Sequence, residues 1–145
     1  MIEMCKTFDI LESFTKNPLH SFHVAEGPGG FIEALLVLRN NNNDSYNGMT
    51  LIDNKEDVPG WKKGTEFFNK HPNVTLHYGP SNDGNLFSID NFDYCFKNYG
   101  NTMDIITGDG GFDFSLDFNN QEIMSTKLTI AQVFYALTMQ KQGGT

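Results

Sequence analysis

Cysteine is nearly absent. Two residues, Cys5 and Cys95, cannot frame a fold with disulfides, so a small secreted scaffold is excluded and a reducing, cytoplasmic setting is expected. Basic residues are also scarce: 10 Lys and Arg stand against 18 Asp and Glu, a net charge of −8. That balance excludes a chain built throughout to grip a polyanion, because phosphate contacts need Lys and Arg. Lys55, Lys62, Lys63 and Lys70 do fall close together in sequence. They read as a solvated helix face ahead of an RNA contact. No apolar run approaches the roughly 18 to 20 residues of a membrane span, so no membrane partner is expected. The start, Met1 to Lys6, lacks the basic and apolar regions of a signal peptide. The histidines, His20, His23, His71 and His77, make no zinc spacing with the cysteines, and no metal is expected. There is no Gly-Lys-Ser/Thr after a glycine loop, so a P-loop is excluded.

What the chain does have is a strand and helix rhythm. Thirteen Phe supply much of the apolar volume, and 39% hydrophobic with 19% charged content suits one globular domain over 1–145. Ile2 to Phe14 carries apolar residues at helical spacing. Phe22 to Ala25 reads as a strand, and Phe31 to Leu38 as a helix. Asn40 to Gly48 is polar and turn-rich, a surface loop. Met49 to Ile52 is expected as a second strand, Trp61 to Lys70 as a helix, and Val74 to Tyr78 as a third strand. Asn91 to Tyr99 is expected as a short helix and Met103 to Thr107 as a fourth strand. Gln121 to Gln140 is expected as a long helix whose apolar face is Met124, Leu128, Ala131, Phe134, Tyr135 and Leu137. Strands separated by helices imply parallel pairing through right-handed crossovers. Ligands in such sheets sit at the carboxyl ends of the strands. Glu26, Asp53, Asn85 and Asp109 all fall at or past such ends.

The most informative stretch joins the first strand to its helix: Glu26, then Gly27, Pro28, Gly29 and Gly30, then Phe31. Glycines there let a ligand approach the backbone. The spacing is not Gly-x-Gly-x-x-Gly, since Glu33 stands where the later glycine would come, so a nicotinamide oxidoreductase fits poorly. An acid before the glycines and another at Asp53 suit a ligand carrying an amine and a ribose, and would repel a diphosphate. S-adenosylmethionine is therefore favoured over NAD or ATP; a tight turn with no ligand is the alternative. Asp109 follows an apolar strand and precedes Gly110 and Gly111, which should present its carboxylate at the same cleft. An ordinary Asp-Gly turn is the alternative there.

Taken together, Glu26 to Phe31, then Gly108 to Phe112, then Asn119 to Glu122, resemble the FtsJ-type (RrmJ-type) ribose 2′-O-methyltransferases. The branch most resembled methylates the first transcribed nucleotide of capped mRNA in eukaryotes and large DNA viruses. The resemblance runs from about Ser21 to Thr145. It implies a Rossmann-like α/β fold, a mostly parallel sheet with helices on both faces. It further implies that Ala25, Glu26, Gly27, Pro28, Gly29, Gly30 and Phe31 hold the methionine end of S-adenosylmethionine. Asp53 would lie near the ribose, Asn85 and Leu86 beside the adenine, and Asn119, Asn120 and Gln121 against the RNA. Asp109 would be catalytic, also facing the cofactor, with Lys6 a candidate for the first Lys of a Lys-Asp-Lys-Glu set. The second Lys, the base, and the final Glu belong after Gly143 and Gly144, on strands that would follow Thr145. The chain therefore reads as part of a longer enzyme, inactive by itself, with Met103 to Thr107 an apolar edge prone to aggregate or dimerise. The substrate implied is capped mRNA, with rRNA the alternative. The setting is cytoplasm, a viral factory if the source is a virus, or nucleus. A silent fold that binds S-adenosylmethionine without transferring methyl is the competing reading.

Overall fold

A computed structural model describes residues 1–15, 17–54, 58–62, 64–111 and 121–145. Its strands are β1 (His20–Val24), β2 (Ser45–Met49), β3 (Val74–His77) and β4 (Ile105–Gly108). Its helices are α1 (Ile2–Thr7), α2 (Gly30–Arg39), α3 (Thr65–Phe68), α4 (Ile89–Tyr99) and α5 (Gln121–Met139). Among the described residues the sheet has the order β3-β2-β1-β4, and every pair is parallel. Phe22 lies opposite Asn47 on one side and Ile106 on the other. The chain steps outward from β1 to β3, then returns across the sheet to β4. Ligand crevices open at such reversals.

Alternation along the strands divides the core into two layers. Tyr46 and Ile105 pack with Leu35 of α2, Phe68 of α3 and Cys5 of α1. Phe22, Val24 and Met49 pack with Cys95 of α4 and with Leu128, Tyr135 and Met139 of α5. Helices thus cover both faces, as the resemblance implied. The amino ends of β1 and β2 are tied by a buried ion pair. Arg39 grips Asp44 through Nε at 2.7 Å and Nη2 at 2.8 Å, and Asp44 also accepts the Leu19 N–H and the Tyr46 hydroxyl. Burial pushes the Asp44 carboxyl up, but Arg39 and these other donors outweigh it and hold it below the usual carboxylate range.

Several expectations need correction. The stretch expected as one opening helix breaks at Asp9, which takes φ of 51°, and continues only as a short 3-10 turn, Glu12–Phe14. The second strand is earlier than expected, because half of the polar loop is strand. Tyr46 and Asn47 are buried, and their polar atoms are satisfied by Asp44, by the Ser21 carbonyl and by His77. Gly48 packs under Ile32 and Trp61, and a Cβ there would lie 2.8 Å from Ile32. Helix α3 keeps one turn of the ten residues expected. The inward face of α5 is Leu128, Gln132, Tyr135 and Met139, whereas Met124, Phe134 and Leu137 are exposed. Nor is β4 a bare edge: the Ile106 N–H donates to the Thr145 carbonyl at 2.9 Å, and the Thr145 N–H to the Asp104 carbonyl at 2.8 Å. No described helix is long and apolar enough to cross a membrane.

Candidate functional site

The carboxyl ends of the strands surround a cavity of about 410 Å³. Ala25 and Gly27 reach it from β1, and Thr50 and Leu51 from β2. Asn85, Leu86 and Phe87 come from the segment between β3 and α4, and Asp109 to Gly111 from β4. Leu128 of α5 forms its floor, and Val58 and Pro59 add a further apolar wall. Asp109 is exposed, and it also borders a second cavity of about 290 Å³ with Thr107, Thr129 and Gln132. Among the described residues no Lys or Arg lines the larger cavity, and Asp109 is its one ionisable group.

The first turn is built differently from the sequence expectation. The chain leaves β1 with Ala25 at φ of 54°, a conformation that non-glycine residues adopt mainly where structure demands it. Glu26 then folds inward and is 4% exposed. Its Oε1 accepts the Phe31 N–H at 2.7 Å and the Ile32 N–H at 3.0 Å, so it satisfies the open amides of α2. Its carbonyl accepts the Gly29 N–H at 2.7 Å and its own N–H donates to the Met49 carbonyl. Burial drives the Glu26 carboxyl up to about 7 against the pull of these two amides, and the Asp109 charge pushes it further. Glu26 is thus the keystone of the turn. The cavity wall takes Ala25 and Gly27, while Glu26, Pro28, Gly29, Gly30 and Phe31 are not among its lining residues.

The adenine-side segment is shaped by a residue that sequence reasoning missed. Asn91, fully buried on α4, donates to the Asn85 carbonyl at 3.0 Å and accepts from the Ser81 N–H and hydroxyl. Ser81 also bonds Asp83, whose Oδ1 accepts the Asn85 N–H at 2.9 Å. Gly84, at φ of 62°, lies flat on the Thr50 carbonyl, which a Cβ would strike. Ser88 signals a helix start as an N-cap residue, which it is, with the Asn91 N–H on Ser88 Oγ. Nothing in that pattern shows that the Asn91 side chain turns back to the loop.

Asn85, Leu86 and Asp109, expected together, are brought together. Asp53 is half-buried four residues past β2 and does not line the cavity. Lys6 is exposed on α1 and lines neither cavity. Gln121 opens α5 and is exposed; Asn119 and Asn120 lie outside the described residues, as do Lys55 and Lys63. Of the remaining basic group, Lys62 is exposed and Lys70 pairs with Glu66 at 3.4 Å, both partners in solvent. Lys62 and Lys70 are in solvent, as expected, but they lie outside α3 and do not share a helix face; an exposed pair such as Lys70 with Glu66 contributes little.

Residues 1–145, the whole chain, match the FtsJ-like methyltransferase family. Over 157 aligned residues the chain is 25% identical to a Drosophila melanogaster protein named cap-specific mRNA (nucleoside-2′-O-)-methyltransferase 2, spanning 99% of this chain and 22% of that protein. Over 128 residues it is 30% identical to the Caenorhabditis briggsae cap-specific mRNA (nucleoside-2′-O-)-methyltransferase 1A, spanning 83% of this chain and 14% of that one. The chain thus covers less than a quarter of the length of either relative. A parallel sheet with its cavity at the strand exits, a glycine turn after β1 and an aspartate after β4 sit within a match that leaves no residue out: the chain belongs to the FtsJ-like methyltransferase family.

Proposed function

We propose that this chain forms the cofactor side of an S-adenosylmethionine-dependent RNA ribose 2′-O-methyltransferase, with the cap-proximal ribose of mRNA as the site modified. The observation that carries the reading is the convergence of Ala25, Asn85, Leu86 and Asp109 on one cavity. Its chemistry fits the cofactor. Leu51, Leu86, Phe87, Val58 and Pro59 give flat apolar walls for a purine. Among the described residues the lone charge on the lining is the Asp109 carboxylate, which attracts a sulfonium and an amine. A diphosphate would find no cation among them. The two relatives named above bear cap-methyltransferase names, which is the support for mRNA over rRNA.

S-adenosylmethionine, when bound, supplies an electrophilic methyl group. The protein's own part is alignment and charge. Leu86 and Phe87 would flank the base. The Asn91 network fixes the segment that carries Asn85. Asp109 borders both cavities, so it would stand beside a methyl donor held in one and a ribose hydroxyl held in the other. There it accepts a hydrogen bond and steadies positive charge.

Titration of S-adenosylhomocysteine by calorimetry tests the binding half, and its failure to bind refutes the reading. Radiolabelled methyl transfer to capped and uncapped RNA of one sequence, by a longer protein that contains this chain, tests the rest. Binding without transfer would support the silent reading, which the lack of a lysine among the described lining residues favours. Equal transfer to both RNAs would refute the cap assignment.

A further inference from the structure

The turn carrying Asp109 is held by a side chain of the neighbouring helix, Gln132. β4 ends at Gly108, and Asp109 follows it onto the cavity. The next amide, Gly110 N–H, donates to Gln132 Oε1 at 2.8 Å. Gln132 is 9% exposed, and its Nε2 donates to the Leu128 carbonyl one turn back at 3.3 Å. These partners fix which end of the amide faces the turn, because an NH2 group there would meet another donor. The backbone on the other side of Asp109 is shaped to the same oxygen: a Cβ at Gly108 would lie 2.7 Å from Gln132 Oε1.

The position is otherwise one for a hydrocarbon. Leu128, Tyr135 and Met139 form the rest of the inward stripe of α5. A buried amide costs free energy unless it is bonded, and a methionine would fill the volume without that cost. The amide here makes its long-range bond to the residue that follows Asp109.

We propose that Gln132 is a positioning residue for Asp109, acting through the Gly110 amide to set the direction in which the carboxylate enters the cavity. The proposal rests on the reading of that cavity as a methyl-donor site, although the bond itself does not. The 145-residue chain is compared with Gln132→Met, which keeps length and volume, Gln132→Glu, which keeps an oxygen, and Tyr135→Phe, a control on the same helix. Hydrogen exchange of the Gly110 amide is read by NMR, and S-adenosylhomocysteine affinity by calorimetry. In Gln132→Met the amide should exchange about tenfold faster and the ligand should bind about tenfold more weakly, the scale of one hydrogen bond. Gln132→Glu should recover most of the amide protection, and Tyr135→Phe should change neither.

Unchanged exchange in Gln132→Met overturns the proposal. Faster exchange with wild-type affinity also overturns it, since the bond would then position nothing. If the wild type binds no S-adenosylhomocysteine, the cofactor reading fails while the exchange data still decide whether Gln132 holds the turn. If Gln132→Met does not fold, Gln132→Asn withdraws the same amide by one methylene, and wild-type protection of Gly110 there is the overturning result.

Discussion

Replacing Glu26 with Gln should change how stability depends on pH. Folded Glu26 keeps its proton up to about pH 7, whereas the unfolded carboxyl loses it near 4.5. Between those values unfolding releases a proton. The protonated cap therefore gives its full stabilisation below the unfolded value, and that stabilisation drains away as pH rises through 7. Each tenfold difference in proton affinity between the folded and unfolded carboxyl is worth about 1.4 kcal/mol, so the window holds about 3 kcal/mol. With only 4% of the residue exposed, solvent does little to screen the effect. Gln keeps an oxygen for the Phe31 and Ile32 amides and carries no charge, so its profile should lack this dependence. The wild-type curve alone would hide it. Burial lowers His23 to about 3 and His77 to about 4, and each contributes stability present above about pH 6.5 and lost as pH falls. Those losses run opposite to the Glu26 effect but are common to both proteins. The measurement is urea unfolding followed by the single tryptophan, Trp61, at steps from pH 5 to 8. From one end to the other the Gln variant should gain about 3 kcal/mol on the wild type. A difference that stays constant within about 0.5 kcal/mol would refute the buried, proton-holding cap.

Other changes probe the frame and the site. Arg39→Ala leaves Asp44 buried without its guanidinium and should cost about 3–5 kcal/mol in urea unfolding; a loss under 1 kcal/mol, roughly what an exposed pair is worth, would contradict the anchoring role. Gly84→Ala puts a methyl into the Thr50 carbonyl at a positive φ. It should cost about 2–4 kcal/mol and weaken S-adenosylhomocysteine binding, and a variant as stable as wild type would mean that the two segments do not touch. Asp109→Ala removes an exposed side chain, so thermal melting should imply a change within about 0.5 kcal/mol while methyl transfer by an active enzyme containing this chain is lost; retained transfer would exclude Asp109 from the chemistry.

β1 and β3 are legible in the sequence because an apolar residue recurs at every second position, Phe22 and Val24 in one and Val74 and Leu76 in the other, although β1 runs from His20 to Val24 rather than from Phe22 to Ala25. β2 is not, because its interior positions include Tyr46 and Asn47; Asp44 satisfies Tyr46 from two residues away, but Asn47 relies on the Ser21 carbonyl and on His77, 26 and 30 residues distant. No local window contains that compensation. The same logic hides Gln132 in α5, where a polar residue takes a core place while Phe134 and Leu137 face out. At the site, Asp109 and Asn85 were readable from strand exits, and Leu86 from the family resemblance. Glu26 was readable as important but not as a cap, since only its inward rotamer shows that the α2 amides claim the carboxylate before any ligand can. Asn91 was invisible, because its role depends on a loop that doubles back over the amino end of α4.

The place of β4 in the sheet has a consequence for how the protein acquires its site. β1 meets β2 after a short excursion, but it meets β4 only across 84 residues, as in the His20 N–H bond to Asp104 and the contact of His23 with Thr107. Closing so long a loop is entropically costly and slow compared with the nearer pairings. Asp109 stands on the far side of that closure and Ala25 on the near side, so a chain that has assembled only β1, β2 and β3 has half a cavity. Ligand affinity should therefore appear in the last kinetic phase of refolding, after most secondary structure has formed, and a bound ligand should slow unfolding by holding that last seam shut.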